Sequence, residues 1–299
     1  ETVEGLLYST YPDCEIKVVL PQKGLLYFQV DKIADKIEID NNLLILRSRH
    51  LGTFQKLFLC LKKAKLEIEH HDITYVNTIV VLDYILASWF CRNSKIILHI
   101  HELPYRFLDR LFFSILFYFS NACLVFNSEA TKKAFFLTKR KSFIVHNGTA
   151  SPLFYSEPQL RNEQTNILMI GRLTEKKGQW LLLDSLNKLA HSCNLRVRIV
   201  GDAYYASSMY KQKLLKIIKE YELDNIILMV PFAENPSEHY LWSDIVVVPT
   251  MNPEPFGLVA IEAMSYSKPV IGSAHGGLVE IIEDGISGIL FKPGDSSAL

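Results

Sequence analysis

Short apolar, β-branched runs alternate with longer helical patterns along almost the whole chain. In the first half, residues 16–20, 73–76, 96–100, 122–126 and 143–145 read as strands, with helices predicted over 53–69, 78–90 and 107–119. The second half repeats the rhythm, with strands at 167–170, 197–200, 226–229, 245–248, 270–272 and 288–291 and helices at 180–189, 208–221 and 258–265. Several of these strands, such as Ile245-Val246-Val247-Val248, are apolar at every position rather than at alternate ones. A strand of that kind is buried on both faces, and helices between successive strands cover the two sides of a parallel sheet. The predicted class is α/β, with two facing Rossmann-like, doubly wound parallel-sheet domains. A polar, turn-rich stretch without a period (Ser151, Pro152, Ser156, Pro158, Asn162) lies between the halves. It sets the expected organisation as a first domain over 1–148, a linker over 149–165 and a second domain over 166–299. Facing domains of this class bind ligands in a cleft at the carboxyl ends of their strands.

Composition narrows the function classes. The chain has 299 residues, enough for two ordinary domains, with 49% hydrophobic and 21% charged residues. Lys plus Arg equals Asp plus Glu at 32 each, so there is no overall basic excess of the kind a nucleic-acid binder carries. Five cysteines, widely spaced and without a CxxC pair, argue against a disulfide framework or a zinc site and for a reducing, cytoplasmic setting. The longest apolar run, 111–119, falls short of the roughly 20 residues that cross a bilayer. It reads either as a buried helix or, given Arg106 and Arg110 before it and aromatics within it, as a surface dipped into the inner face of a membrane. The chain opens on Glu1 rather than Met and stops soon after an apparent strand, which reads as a fragment lacking a first strand and closing helices.

Four constellations carry candidate chemistry. In the first, the strand at 167–170 ends at Gly171 and is followed by Arg172 and Lys177 just before a predicted helix. Two cations beside a helix N-terminus make an anion site, with Arg suited to a bidentate grip on phosphate and Lys acting as a point charge. A solvated loop with surface charges is the alternative. Neither GxGxxG nor GxxxxGK[ST] is present. In the second, the strand at 245–248 leads through Pro249 to a loop carrying Glu254, and a helix opening near Gly257 carries Glu262 among Ala260, Ile261, Ala263 and Met264. A carboxylate, acceptor-only with two oxygens, suits paired sugar hydroxyls, and backbone amides around Phe256, Gly257 and Leu258 suit a phosphate. The alternative gives Glu254 a helix-dipole role and Glu262 the surface.

The third is His99-Ile-His101-Glu102 at a strand end, the two histidines sharing one face by alternation. A metal is conceivable there but no distant third ligand is nominated, and a structural histidine remains the alternative. The fourth, Gly276-Gly277 with Glu280, reads as close backbone approach to a ligand or simply as a turn.

Together these residues resemble the retaining glycosyltransferase family 4, glycosyl transferases group 1, of GT-B fold. The resemblance is carried by His146-Asn147-Gly148, Gly171-Arg172-Leu173 with Lys177-Gly178, Val200-Gly201-Asp202, Ser243-Asp244-Ile245 through Pro249, and Glu254-Pro-Phe-Gly257-Leu with Glu262-Ala-Met. It continues through Lys268-Pro-Val270, Gly276-Gly277 with Glu280, and Asp284-Gly285 to Gly288, and more loosely upstream through His101-Glu102-Leu103 and Asn127-Ser128-Glu129-Ala130. Ser267 departs from the glycine the family often has there. The resemblance implies a hexosyl-type glycosyltransferase that moves sugar with retention from a nucleoside-diphosphate sugar to a glycan or lipid-linked acceptor, in bacterial polysaccharide or cell-envelope glycan synthesis. Arg172 and Lys177 would hold the diphosphate, Glu254 would sit near the reacting carbon, Glu262 would bind the ribose, and backbone at Phe256, Gly257 and Leu258 would contact sugar and phosphate. His101, with His99 as rival, would reach the donor sugar. No metal or other cofactor is expected. A nucleotide-sugar epimerase of the same architecture and a non-catalytic nucleotide-sugar-binding subunit are the rival readings.

Overall fold

The structure, a computed structural model, describes residues 13–45, 54–136, 141–149, 152, 164–189, 193–203 and 208–299. The chain divides into two compact units, Glu1–Asn147 and Gly148–Leu299. Most of the stretch expected as a linker lies outside the described residues, and its last residue, Thr165, already belongs to a strand.

In the first unit the order is β1 (Lys17–Leu20), α1 (Leu25–Val30), β2 (Lys36–Ile39), α2 (Phe54–His70), β3 (Ile73–Val76), α3 (Leu82–Ala87), β4 (Lys95–Ile100), α4 (Phe107–Phe119), β5 (Cys123–Phe126), α5 (Glu129–Lys133) and β6 (Ser142–Ile144). β1 and β2 form a parallel pair, and β3 to β6 form a parallel four-stranded sheet in chain order. Side chains from one face of β4 and β5 and from the inner face of α4, among them Leu98, Ile100, Leu124, Phe126 and Phe117, make one core. β2 and α1 were not expected. α3 is shorter than the helix predicted over 78–90, for a local reason. Residues 78–81 include three β-branched side chains after Thr78, and Glu102 accepts hydrogen bonds from the Thr78 hydroxyl and the Ile79 amide (3.3 Å), holding this segment to the end of β4 before the helix begins. α5 opens on a capping box between Ser128 and Thr131, which accounts for the Asn127-Ser128-Glu129 sequence structurally.

The second unit runs β7 (Thr165–Ile170), a 3₁₀ turn (Glu175–Lys177), α6 (Gln179–Leu189), β8 (Leu195–Val200), α7 (Ser208–Glu220), β9 (Ile227–Val230), α8 (Ser237–Trp242), β10 (Ile245–Val248), α9 (Leu258–Ser265), β11 (Val270–Ser273), α10 (Leu278–Ile281) and β12 (Gly288–Phe291). Its six strands are parallel in the order β12-β11-β10-β7-β8-β9. Alternation sends Leu168 into a core shared with α9 and α10, and Met169 into another beneath α6 and α7, so both faces of the sheet are covered. The strand order reverses between β7 and β10, and open sheets of this class present their ligand crevice at the carboxyl side of such a reversal.

All five cysteines are free, and among the described residues no helix is long and apolar enough to cross a membrane.

Candidate active site

The loops leaving β7 and β10 meet at that reversal, and the meeting depends on glycine. Gly178 has φ +79° after the 3₁₀ turn, and a Cβ there would lie 1.9 Å from the Pro249 carbonyl oxygen, so the two loops touch backbone to backbone. The Met251 amide then donates to the Lys176 carbonyl (2.9 Å). Lys177 follows from this placement. Its methylene stem passes over Gly171, whose own Cβ would lie 3.8 Å from it, and its ammonium donates to Glu254 Oε1 at 2.5 Å. Both partners are mostly sheltered, with side-chain exposures of 28% for Lys177 and 14% for Glu254. Arg172 is exposed on the neighbouring stretch, and its carbonyl is fixed by the buried Gln179 side chain, Nε2 donating at 2.9 Å.

Glu254 is braced from its other side too. Its carbonyl accepts from the Gly277 amide (2.8 Å), and it pairs with Gly276 as an isolated parallel bridge. A Cβ on Gly276 would lie 2.3 Å from the Glu254 carbonyl oxygen, and one on Gly277 2.4 Å from that of Phe256. The paired glycines thus allow close approach to the chain's own loop. Beyond Glu254, Phe256 is buried, Gly257 takes φ +116° and α9 opens. The Leu258 and Val259 amides precede the first helical bond of α9, which Ala260 donates to the Gly257 carbonyl (2.9 Å). They are the first-turn donors an anion would meet.

Glu262 projects half-buried from the second turn of α9, and the Tyr240 hydroxyl donates to its Oε2 at 2.6 Å. Tyr240 is 1% exposed and stacks on Tyr266, ring centroids 5.2 Å apart. Lys177, Glu254 and Gly257 thus gather on the two loops, while Glu262 is tied to a tyrosine that sequence reasoning did not single out. Beside them His275 Nε2 lies 2.9 Å from the Thr250 carbonyl, and burial lowers its pKa.

The histidines belong to the first unit. β3 and β4 set Tyr75 opposite Ile97 in register, and the Tyr75 hydroxyl hydrogen-bonds His99 Nδ1. His101 Nε2 donates to Asn77 Oδ1 (2.9 Å), and the two imidazoles lie 4.0 Å apart, on one face as alternation predicts. Burial, reinforced by His101, pushes His99 down to about 4, and burial lowers His101 as well. Both rings are neutral near pH 7. His99 Nε2 is buried without a hydrogen-bond partner. Tyr75 and Asn77 were not foreseen, because only the β3–β4 register brings them to the histidines. Among the described residues no group of three or more His, Cys, Asp or Glu is placed to hold a metal ion.

Residues 154–299 match the family described as Glycosyl transferases group 1. The match takes in nearly all of the second unit. Over 229 residues the chain is 28% identical to a lipopolysaccharide 1,2-N-acetylglucosaminetransferase of Salmonella typhimurium, covering 69% of this chain and 56% of that protein. Over 136 residues it is 32% identical to a D-inositol 3-phosphate glycosyltransferase of Geodermatophilus obscurus, covering 43% of this chain and 30% of that one. The chain thus spans about half or less of these curated relatives. Among solved structures it is similar to Anabaena Alr3699/HepE in complex with UDP and glucose, with a TM-score of 0.81 and 23% identity over 98% of this chain and 82% of that one. It is also similar to the lipopolysaccharide outer core galactosyltransferase WaaB in its apo form, with a TM-score of 0.76 and 16% identity over 99% and 82%. At these identities the likeness is one of fold, and the fold is the GT-B α/β architecture with parallel sheets.

What the second unit offers chemically is a carboxylate and an ammonium held against each other at a strand-order reversal, with the exposed Arg172 on the β7 loop and helix-opening amides at the start of α9. That set suits a ligand with both anionic and hydroxyl groups.

Proposed function

We propose that the protein transfers a hexosyl unit, with retention, from a nucleoside-diphosphate sugar to a glycan or lipid-linked acceptor in polysaccharide or cell-envelope glycan assembly. The observation that carries this reading is the Lys177–Glu254 contact where the β7 and β10 loops meet. A diphosphate between Arg172, Lys177 and the first-turn amides of α9 would have its charge met without a metal ion. Glu254, released from Lys177 toward the sugar, would stabilise an oxocarbenium-like transition state. Glu262 would take the ribose hydroxyls while keeping its Tyr240 bond. His101, neutral and with Nε2–H engaged by Asn77, offers Nδ1 as an acceptor for a sugar hydroxyl. Two relatives support the substrate classes: HepE is solved with UDP and glucose, and the Salmonella relative acts on lipopolysaccharide. Five free cysteines fit a cytoplasmic location.

The test is calorimetric titration of nucleoside diphosphates into wild type, Arg172→Ala and Lys177→Ala. A hydrogen bond to a charged group contributes roughly 1.5–3 kcal/mol, so each variant is expected to bind about ten- to a hundredfold more weakly. Unchanged affinity in both variants would remove the diphosphate from this site. Tight nucleotide-sugar binding without transfer to any acceptor would favour a binding subunit.

A further inference from the structure

α4 turns two apolar faces in opposite directions. Phe113, Leu116 and Phe117 are buried in the core of the first unit. Leu108, Phe112, Ile115 and Phe119, spaced as one helical stripe, are exposed, Leu108 at 73%. The stripe continues sideways, because the Phe107 ring lies 5.5 Å from that of Phe136 and both are at least half exposed. Single exposed apolar residues need no explanation, but a contiguous aromatic-rich patch beyond an already packed helix face does.

The charge along this segment says what the patch meets. Among the described residues from Arg106 to Lys141 there are five cations, Arg106, Arg110, Lys132, Lys133 and Lys141, against two acids, Asp109 and Glu129, a local excess of three in a chain whose charges balance at 32 each. Arg106 directly precedes Phe107 and Lys133 lies three residues before Phe136, and both cations are exposed. An apolar, aromatic stripe of 13-residue length bordered by cations is the composition of a helix lying in the plane of an anionic lipid surface. We infer that the outer face of α4, with Phe136, docks the protein onto anionic membrane. The inference stands on unit-one residues and does not depend on the donor-site reading. It gives α4, which contains the apolar run 111–119, both roles that the sequence left as alternatives for that run: a core helix on one face and a lipid-facing surface on the other.

The whole chain is mixed with sedimentable vesicles of phosphatidylcholine alone or of phosphatidylcholine with phosphatidylglycerol. Binding to the anionic vesicles, weakened by added salt and much weaker on phosphatidylcholine, is expected. Arg106→Ser/Lys133→Ser is expected to lose about fivefold per cation removed. Leu108→Ser/Phe112→Ser/Ile115→Ser is expected to lose at least about tenfold in partition. Thermal melting and diphosphate affinity, followed alongside, are expected to match wild type, since these side chains are exposed and lie in the other unit from the diphosphate site. Wild type that ignores anionic vesicles, or an apolar-face variant that binds them as wild type does, overturns the proposal. Concentration-dependent dimers abolished by the apolar-face variant, with no lipid binding, would assign the patch to a second copy and overturn it equally.

Discussion

Lys177 and Glu254 satisfy each other before any ligand arrives, so neither acts alone. Lys177→Ala would remove the ammonium and leave the Glu254 carboxylate facing an incoming phosphate, so it is expected to cost more diphosphate affinity than Arg172→Ala. Glu254→Gln does the reverse: it frees the ammonium, and diphosphate affinity is expected to hold or rise while sugar transfer falls. Glu262→Gln, whose partner is Tyr240 rather than a cation, is expected to weaken nucleotide and nucleotide sugar alike. Affinity and turnover of the two glutamate variants, measured side by side, decide the matter. A Glu254→Gln protein that loses nucleotide affinity together with transfer would show that the ion pair is structural. At this scale the sequence spoke through residue type and spacing, which nominated Arg172, Lys177, Glu254 and Glu262. It was silent on partners. Tyr240 lies 22 residues before Glu262 and Tyr75 lies 24 before His99, separations that only strand register and helix packing close.

Between elements, glycine decides how closely strand ends approach. Gly178 and Gly285 have nearly equal φ, +79° and +76°, but a Cβ at Gly178 meets the Pro249 carbonyl oxygen while one at Gly285 meets nothing within 4 Å. Gly285→Ala is expected to cost about 1 kcal/mol for the left-handed backbone alone. Gly178→Ala is expected to cost about 2 kcal/mol more, because the β7 and β10 loops must part. Urea midpoints of the two variants measure the difference, and equal losses would mean that the loops separate freely. Continuous apolar runs made the strands of both main sheets legible, and 73–76, 245–248 and 288–291 match their observed bounds. β2 has no continuous apolar run: Lys36-Ile-Glu38-Ile is a four-residue alternation, short for a period to stand out, and it is held partly by Lys17 and Lys63 on Glu38, contacts that leave no mark on hydropathy. Helices of four to six residues, such as α8 and α10, are too short to show a period.

Over the whole molecule, His99, His101, His239 and His275 have pKa values lowered, first by burial in each case. The folded protein keeps them neutral, while the unfolded chain takes up protons near 6.5. Below that pH the unfolded state binds more protons, so this contribution to stability is complete above 6.5 and drains away as the pH falls toward about 4, the value for His99. Thermal melting followed across that window is expected to decline steeply, and His99→Gln to decline less. Parallel slopes would exclude His99 as a source. The order of strands in the second sheet has a consequence for how the protein is made. β7 lies inside the sheet, with β8 on one side and, across Ile167, Ile245 of β10 on the other. A ribosome delivers β8 soon after β7 but β10 only after α7, β9 and α8. Until then one edge of an apolar parallel strand stands open in the nascent chain, a template for pairing with a neighbour. Translation that stalls before Ile245 therefore releases an adhesive product, and one that passes Val248 closes the edge from within.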